Sequence, residues 1–308
     1  MSLTFGAFKS PTREKKFRSK RRVPLAETFV LTLKCPDRIG IVAAVSGFLA
    51  DQGGWITEAH HHSDDRDGVF FMRQEIRAET IPSDIEGFRA QFAEIAERFD
   101  MEWKIVDQRP TKRVLLMVSK LDHCLSDIFH RWRIGEYNIE ITSVVSNHAD
   151  CAELSTMHGV DYHHIPINKE NKSKAFFEIE SLIDEQSPEV IVLARFMQIM
   201  PPNLCAKYAE RIINIHHGFL PSFSGAKPYH AAYDHGVKLI GATCHYVTEE
   251  LDAGPIIEQD VIRVDHADSA SKMVALGRDV ERSVLSRGLR YHLEDRVIVH
   301  NNKTVVFA

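Results

Sequence analysis

Between residues 27 and 107 the apolar positions change period several times, and each change marks an element. "ETFVLTLKCPDRIGIVAAVSGFLADQGG" reads as a strand from Phe29 to Leu33, a tight turn and then a helix. Ile41, Ala44, Val45, Phe48 and Leu49 fall at helical spacing, with Pro36 and Asp37 offering turn and capping chemistry and Gly53-Gly54 a stop. "WITEAHHHS" and "GVFFMRQEIRA" alternate as paired strands around the polar turn "DDRDG". A second helix gathers Ile85, Phe88, Phe92, Ile95, Ala96 and Phe99 on one face, and "EWKIVD" supplies a closing strand. The order β-α-β-β-α-β over 26–107 predicts a ferredoxin-like half-sandwich.

The pattern breaks at Gln108-Arg109-Pro110-Thr111-Lys112, which places a linker at 108–112. From 113 to 308 the signals alternate. "RVLLMVS" is apolar throughout, as a strand covered on both faces should be. "IEITSVVS", "DYHHIPI", "EVIVLARF" and "RIINIH" read as strands, and "CAELSTMHG" and "KSKAFFEIESLIDEQ" as helices between them. A long helix is expected from about Ser269 to Leu293, then a hairpin turning on Asn301-Asn302. This is the signature of an α/β domain with a doubly wound, mainly parallel sheet.

Composition changes this picture only at the edges. With 44% hydrophobic and 26% charged residues the chain is of ordinary globular type, and no stretch reaches the roughly 18 apolar residues of a membrane helix. Residues 1–22 carry eight basic side chains against Glu14 alone, a balance of +7, so the remainder stands at −12. The 1–25 segment therefore reads as a disordered basic arm, with an organellar presequence as the alternative. The acidic body argues against nucleic acid and membrane as partners. Cys35, Cys124, Cys151, Cys205 and Cys244 are odd in number, widely spaced and without a C-x-x-C, which suits a reducing compartment and a cytoplasmic protein.

In open parallel sheets sites form at the carboxyl ends of strands. "INIHHGFLPSF" is such an end, and the strand period of two sends Asn214 and His216 to one face, Ile213 and Ile215 to the other. An amide beside an imidazole can clamp an oxyanion and move a proton. By spacing alone, a hydrogen-bonded structural His explains the pair equally well. A carboxylate partner has to come from the loop Thr248 to Gly254, where Glu249, Glu250 and Asp252 are available, and spacing alone favours solvated turn residues there. "HHH" at 60–62 is no metal site on strand geometry, because adjacent side chains point to opposite faces. His163-His164 reads as structural, and no metal ligand set is expected anywhere.

"NIHHGFLPSFSGAKPYHAAYDHG" followed by "GATCHYVTEELDAGPIIEQD" resembles the folate-dependent formyltransferases, which share an Asn-x-His…Leu-Pro-Ser-Phe segment and a later Asp-x-Gly loop. The resemblance runs from about Arg113 to the C-terminus and implies Asn214, His216 and Asp252 as catalytic residues. It implies that Met197, Gln198, Ile199 and Met200 of "LARFMQIMPP" line the pterin site, with Glu249, Glu250 and Leu251 along its edge. It also gives His245 a supporting position near Asp252, and puts Gly218 in the variable part of the catalytic loop. His217 would be loop support.

Where a nucleotide-dependent member has a Gly/Ser-rich phosphate loop, this chain has "VSKLDHCLSDIF", without glycine and with Asp122 placed to repel phosphate. The front half, "CPDRIGIVAAVSGFLADQGGWI", resembles an ACT domain, which implies an oligomerising module and a candidate amino-acid effector loop at Asp37, Arg38, Ile39 and Gly40. A simple helix-start turn is the alternative there. ACT followed by a formyltransferase-like domain is the arrangement of the formyltetrahydrofolate deformylases. The resemblance therefore implies hydrolysis of 10-formyltetrahydrofolate as substrate, with no cofactor, in a homo-oligomer that balances one-carbon pools and supplies formate for purine synthesis. The competing expectations are formyl transfer to a small acceptor, and a non-catalytic folate or amino-acid sensor.

Overall fold

Phe29, Leu31, Leu33 and Cys35 alternate with Val30, Thr32 and Lys34 along the first strand, so one face is apolar and the other mixed. The computed structural model describes residues 27–222 and 228–308. The basic arm, together with Phe223 and Ser224 of the loop that follows His217, lies outside the described residues. β1 (Thr28–Pro36), α1 (Ile41–Asp51), β2 (Ile56–Asp64), β3 (Val69–Arg77), α2 (Ile85–Arg98) and β4 (Glu102–Asp107) follow the predicted order. The four strands form an antiparallel sheet in the order β2-β3-β1-β4, the ferredoxin-like arrangement. Its apolar face packs Phe29, Leu31, Met72 and Ile76 on Val45 and Leu49 of α1 and on Phe88 and Phe92 of α2.

Two local expectations give way. α1 is not capped by Asp37: its N-cap is Gly40, at φ 98°, a left-handed conformation that glycine takes without a Cβ clash. Lys112, expected in the linker, is the first residue of the next strand. α2 does carry a side-chain cap, with Asp84 accepting from Gly87 N, a contact worth about 1 kcal/mol.

The second half contains β5 (Lys112–Val118), α3 (His123–Ile134), β6 (Ile139–Ser146), α4 (Ala152–Met157), β7 (Tyr162–His164), α5 (Lys172–Gln186), β8 (Val190–Leu193), α6 (Pro202–Lys207) and β9 (Ile212–His216). α7 (Pro228–Asp234), β10 (Leu239–Tyr246), β11 (Ile256–Arg263), α8 (Ala270–Leu293), β12 (Val297–His300) and β13 (Lys303–Val306) complete it. Seven strands form one sheet in the order β11-β10-β9-β8-β5-β6-β7. β9 through β7 pair in parallel, and β10 and β11 add an antiparallel edge.

The sheet is covered on both faces. Val114, Leu116, Val192, Ile213 and Ile215 pack against α3 and α8, while Leu115, Met117, Ile191 and Ile212 pack against α5 and α6. The sequence pattern does not predict the helices α3, α6 and α7.

The β12-β13 hairpin joins the two sheets. Phe71 meets His300 edge-on with ring centroids 5.5 Å apart, and Lys34 Nζ donates to Val299 O at 3.2 Å. Arg73, fully buried, donates to the carbonyls of Asp295 and Glu294.

Candidate active site

The carboxyl ends of β8 and β9 and the loop between β10 and β11 surround a cleft of about 1000 Å³, open mouth included. Asn214 and His216 leave β9 on the same face, as period two requires. The antiparallel register sets His245 of β10 directly opposite Asn214. Asn214 Nδ2 lies 3.1 Å from His245 Nε2, and His245 Nδ1 lies 2.9 Å from the Tyr246 carbonyl. A carbonyl only accepts, so Nδ1 carries the proton and Nε2 accepts from the amide. Burial lowers the His245 pKa, which keeps the ring neutral in that tautomer. The direct partner of His245 is thus Asn214, and Asp252 acts on it only through its charge.

Asp252 reaches the same place from the other side. Its Oδ1 is 3.3 Å from His216 Nδ1, and that contact holds its pKa below the ordinary value against the opposing effect of burial. His216 Nε2 is buried and has no hydrogen-bond partner among the described residues. The loop geometry behind Asp252 is tight. Asp252 adopts φ 56°, and a Cβ on Gly254 would come within 1.9 Å of the Tyr246 carbonyl oxygen, so only glycine lets the chain turn back here.

Met197, Gln198, Ile199 and Met200 line the cleft together with Glu249, Glu250 and Leu251. Met197, Ile199 and Leu251 stand half-exposed at the mouth, whereas Met200 is buried in the core beneath. Gly218 lines an adjacent cavity, and its carbonyl accepts from Thr243 Oγ1 at 2.9 Å. His217 also lines the cleft, its ring tilted against His216 and edge-on to Tyr229. Burial first, then the charge of Arg195, pushes its pKa down to about 4. The loop at Asp37 to Gly40 is elsewhere, on the exposed surface, with Arg38 paired to Asp100 at 2.7 Å.

Sequence reasoning missed four residues beside the cleft: Arg195, Glu281, His123 and Tyr229. Glu281, on α8, accepts from Tyr229 Oη at 2.7 Å, meets His123 Nε2 at 2.8 Å, and has Arg195 Nε at 3.2 Å. A visible signal existed, since Glu281 sits among Val280, Val284 and Leu285 on the buried face of α8. His123, Cys124 and Glu281 bring ligand-type atoms within 4.8 Å of one another. The Arg195 charge already beside Glu281, and a Cys124 thiol whose pKa burial drives well up, make this a poor cation site. At 60–62, His61 stacks on Phe70 and His62 on Phe71, on opposite faces of the sheet.

This frame and cleft are those of a formyl transferase domain, whose family model matches residues 112–289. The chain belongs to the formyltetrahydrofolate deformylase family. It is 47% identical over 278 residues to formyltetrahydrofolate deformylase of Bacillus subtilis (strain 168), covering 90% of this chain and 93% of that protein. The crystal structure of a formyltetrahydrofolate deformylase from Pseudomonas syringae pv. tomato superposes with a TM-score of 0.91 at 59% identity, covering 93% of this chain and 96% of the other. A phosphoribosylglycinamide formyltransferase from Anaplasma phagocytophilum matches with a TM-score of 0.59 at 27% identity, covering 64% of this chain and 95% of its own.

Proposed function

We propose that the chain hydrolyses 10-formyltetrahydrofolate to tetrahydrofolate and formate, with Asn214, His216 and Asp252 as its catalytic residues. The observation that carries this reading is the convergence of an amide, an imidazole and an ionised carboxylate on one cleft, in a chain alike over nine-tenths of its length to proteins of that name. In this reading Asp252 orients a water and helps remove its proton, and the water oxygen attacks the formyl carbon. Asn214 has two N–H donors. His245 takes one, which leaves the other, fixed in direction, for the developing oxyanion. His216 Nε2 is the second donor. As the C–N10 bond breaks, N10 takes its electron pair and a proton relayed by His216 or water.

Met197 to Met200, Glu249, Glu250 and Leu251 would hold the pterin, and Gly218 the catalytic loop. The chain divides in this reading into the basic arm at 1–25, an ACT domain at 26–107, a short linker, and a catalytic domain from 113. The ACT domain would oligomerise the protein and take an amino-acid effector at Asp37 to Gly40. The product formate would serve purine synthesis in the cytoplasm. The stretch Ser119 to Asp122 leads into α3 without a glycine, which supports water over a phosphorylated acceptor.

The test is incubation with 10-formyltetrahydrofolate and water alone. Formate release is expected, and Asn214→Ala should slow it on the order of 10²–10³-fold. Near-normal turnover by that variant removes Asn214 from the mechanism. Transfer only with an added amine, or tight binding without turnover, overturns the hydrolase reading.

A further inference from the structure

Arg195 leaves the sheet one strand over from the catalytic pair. Register sets Leu193 of β8 beside Asn214 of β9, and continuing it by two residues puts Arg195 level with His216. Neighbouring strands lie only about 4.8 Å apart. Its backbone is left-handed, at φ 67°, a conformation that glycine adopts freely and arginine does not. The turn is pinned from β5 and β6: Ser119 N donates to Arg195 O, Met197 N donates to Ser119 Oγ, and Ser119 Oγ donates to Asn147 Oδ1. A long cationic side chain is thus held in a costly conformation at the end of the cleft.

Arg195 is 8% exposed and is one of the residues lining the cleft with Asn214 and His216, its Nε and Nη1 buried just beneath the wall. Its Nε is close to Glu281, but neither Nε nor Nη1 makes a hydrogen bond among the described residues. Glu281 balances its charge while spending its own oxygens on Tyr229 and His123. A buried guanidinium with spare N–H donors is unusual, because such groups are nearly always paired.

We propose that Arg195 binds the formate as it forms and holds it until release, so that it is a further catalytic residue of the reaction. This inference rests on the deformylase reading. In the reaction the water oxygen bonds to the formyl carbon, the C–N10 bond breaks with its electrons going to N10, and N10 takes one proton. The second water proton is released as formic acid ionises. The formyl group is neutral and its product is an anion, so a fixed cation beside the carbon favours the later stages over the bound substrate. The planar guanidinium fork matches a carboxylate in a way that an ammonium does not. The folate ring, by contrast, would in that reading meet the apolar residues Met197, Ile199 and Leu251, which are half-exposed at the mouth.

The experiment uses the full chain and ¹³C-formate. Formate is titrated without folate by NMR line broadening, and turnover is measured with 10-formyltetrahydrofolate. Saturable formate binding by the wild type is expected, weakened at least about tenfold in Arg195→Gly and less in Arg195→Lys. Turnover of Arg195→Gly should fall about 10–100-fold with KM changed less than about threefold, and guanidinium chloride should restore part of it. Glycine suits the left-handed backbone, and the double variant Arg195→Gly/Glu281→Gln removes the buried charge left behind. Absence of saturable formate binding by the wild type overturns the proposal, as does unchanged formate affinity in both variants. A wild type that releases no formate from 10-formyltetrahydrofolate sinks the deformylase reading instead, and the titration still decides on Arg195.

Discussion

Asn214 illustrates how a weak donor is made directional. An amide on a strand end can rotate about its last torsion, but His245 fixes it, and Tyr246 in turn fixes the imidazole. His245→Leu should therefore leave substrate affinity nearly intact while lowering turnover on the order of 10²-fold, as small losses of alignment do. Separate kcat and KM values for formate release check this, and a rise in KM with kcat intact would show that His245 serves binding alone. That Asn214 and His216 share a face was legible from the strand period, while their role in the site came only through the resemblance. Asp252 was legible only through the resemblance, because a loop acid carries no periodic signal. Arg195 was hidden for a different reason: a non-glycine residue at positive φ looks in sequence like any strand end, and "VLARF" reads as core.

Among the elements, the long amphipathic segments matched their expectations, from α2 and α5 to α8 with its Ser269 cap. Two of the helices that escaped, α6 and α7, have six and seven residues, too short for the apolar period to repeat. The third, α3, is longer and has an unbroken apolar face of Cys124, Leu125, Ile128 and Phe129, but it begins within the stretch that stands in place of a phosphate loop, and its polar residues His123, Ser126, Asp127 and His130 make the segment read as a loop. Gly40 caps α1 through backbone freedom rather than a side chain, which sequence rules for capping do not score. The β10-β11 connection depends on one such backbone feature. Gly254→Ala would drive a methyl into the Tyr246 carbonyl, so the loop carrying Asp252 must move. Loss of most formate release is expected, with unfolding free energy lowered by about 1–3 kcal/mol in urea titration; an active, stable variant would show that the loop has slack.

On the scale of the whole molecule, the two sheets are locked by charge. Asp295, buried, contacts Lys104 at 2.6 Å and Lys112 at 2.7 Å, and these two cations outweigh the burial that would raise its pKa, leaving it well below the ordinary carboxylate value. Stability from a depressed carboxylate is full above its unfolded pKa, near 4, and is lost as pH falls further. Two buried histidines act earlier. Burial pushes His217 to about 4 and His292 to about 3, so the unfolded chain binds their protons first and stability falls as pH drops below about 6.5. The Tm should accordingly decline from pH 6.5 to 4. Asp295→Asn should cost about 3 kcal/mol at neutral pH, with the gap to wild type closing only below pH 4. A gap independent of pH would mean that the lock is not electrostatic.

The cleft is also bounded by unequal walls. Asn214 and His216 stand on β9 and Arg195 lies just past the end of β8, two strands paired on either side, whereas Asp252 lies in the loop that joins β10 to the edge strand β11. A ligand that must part the walls will displace this loop, since moving β8, β9 or β10 would break strand ladders on both sides. In amide exchange, residues 248–253 should therefore open orders of magnitude faster than 190–193 and 212–216, and folate should slow the first group while leaving the second unchanged. Comparable protection in both segments would mean that the cleft opens as one body. On this account Asp252 is the part of the cleft that arrives last, and the site is completed by closing on what it binds.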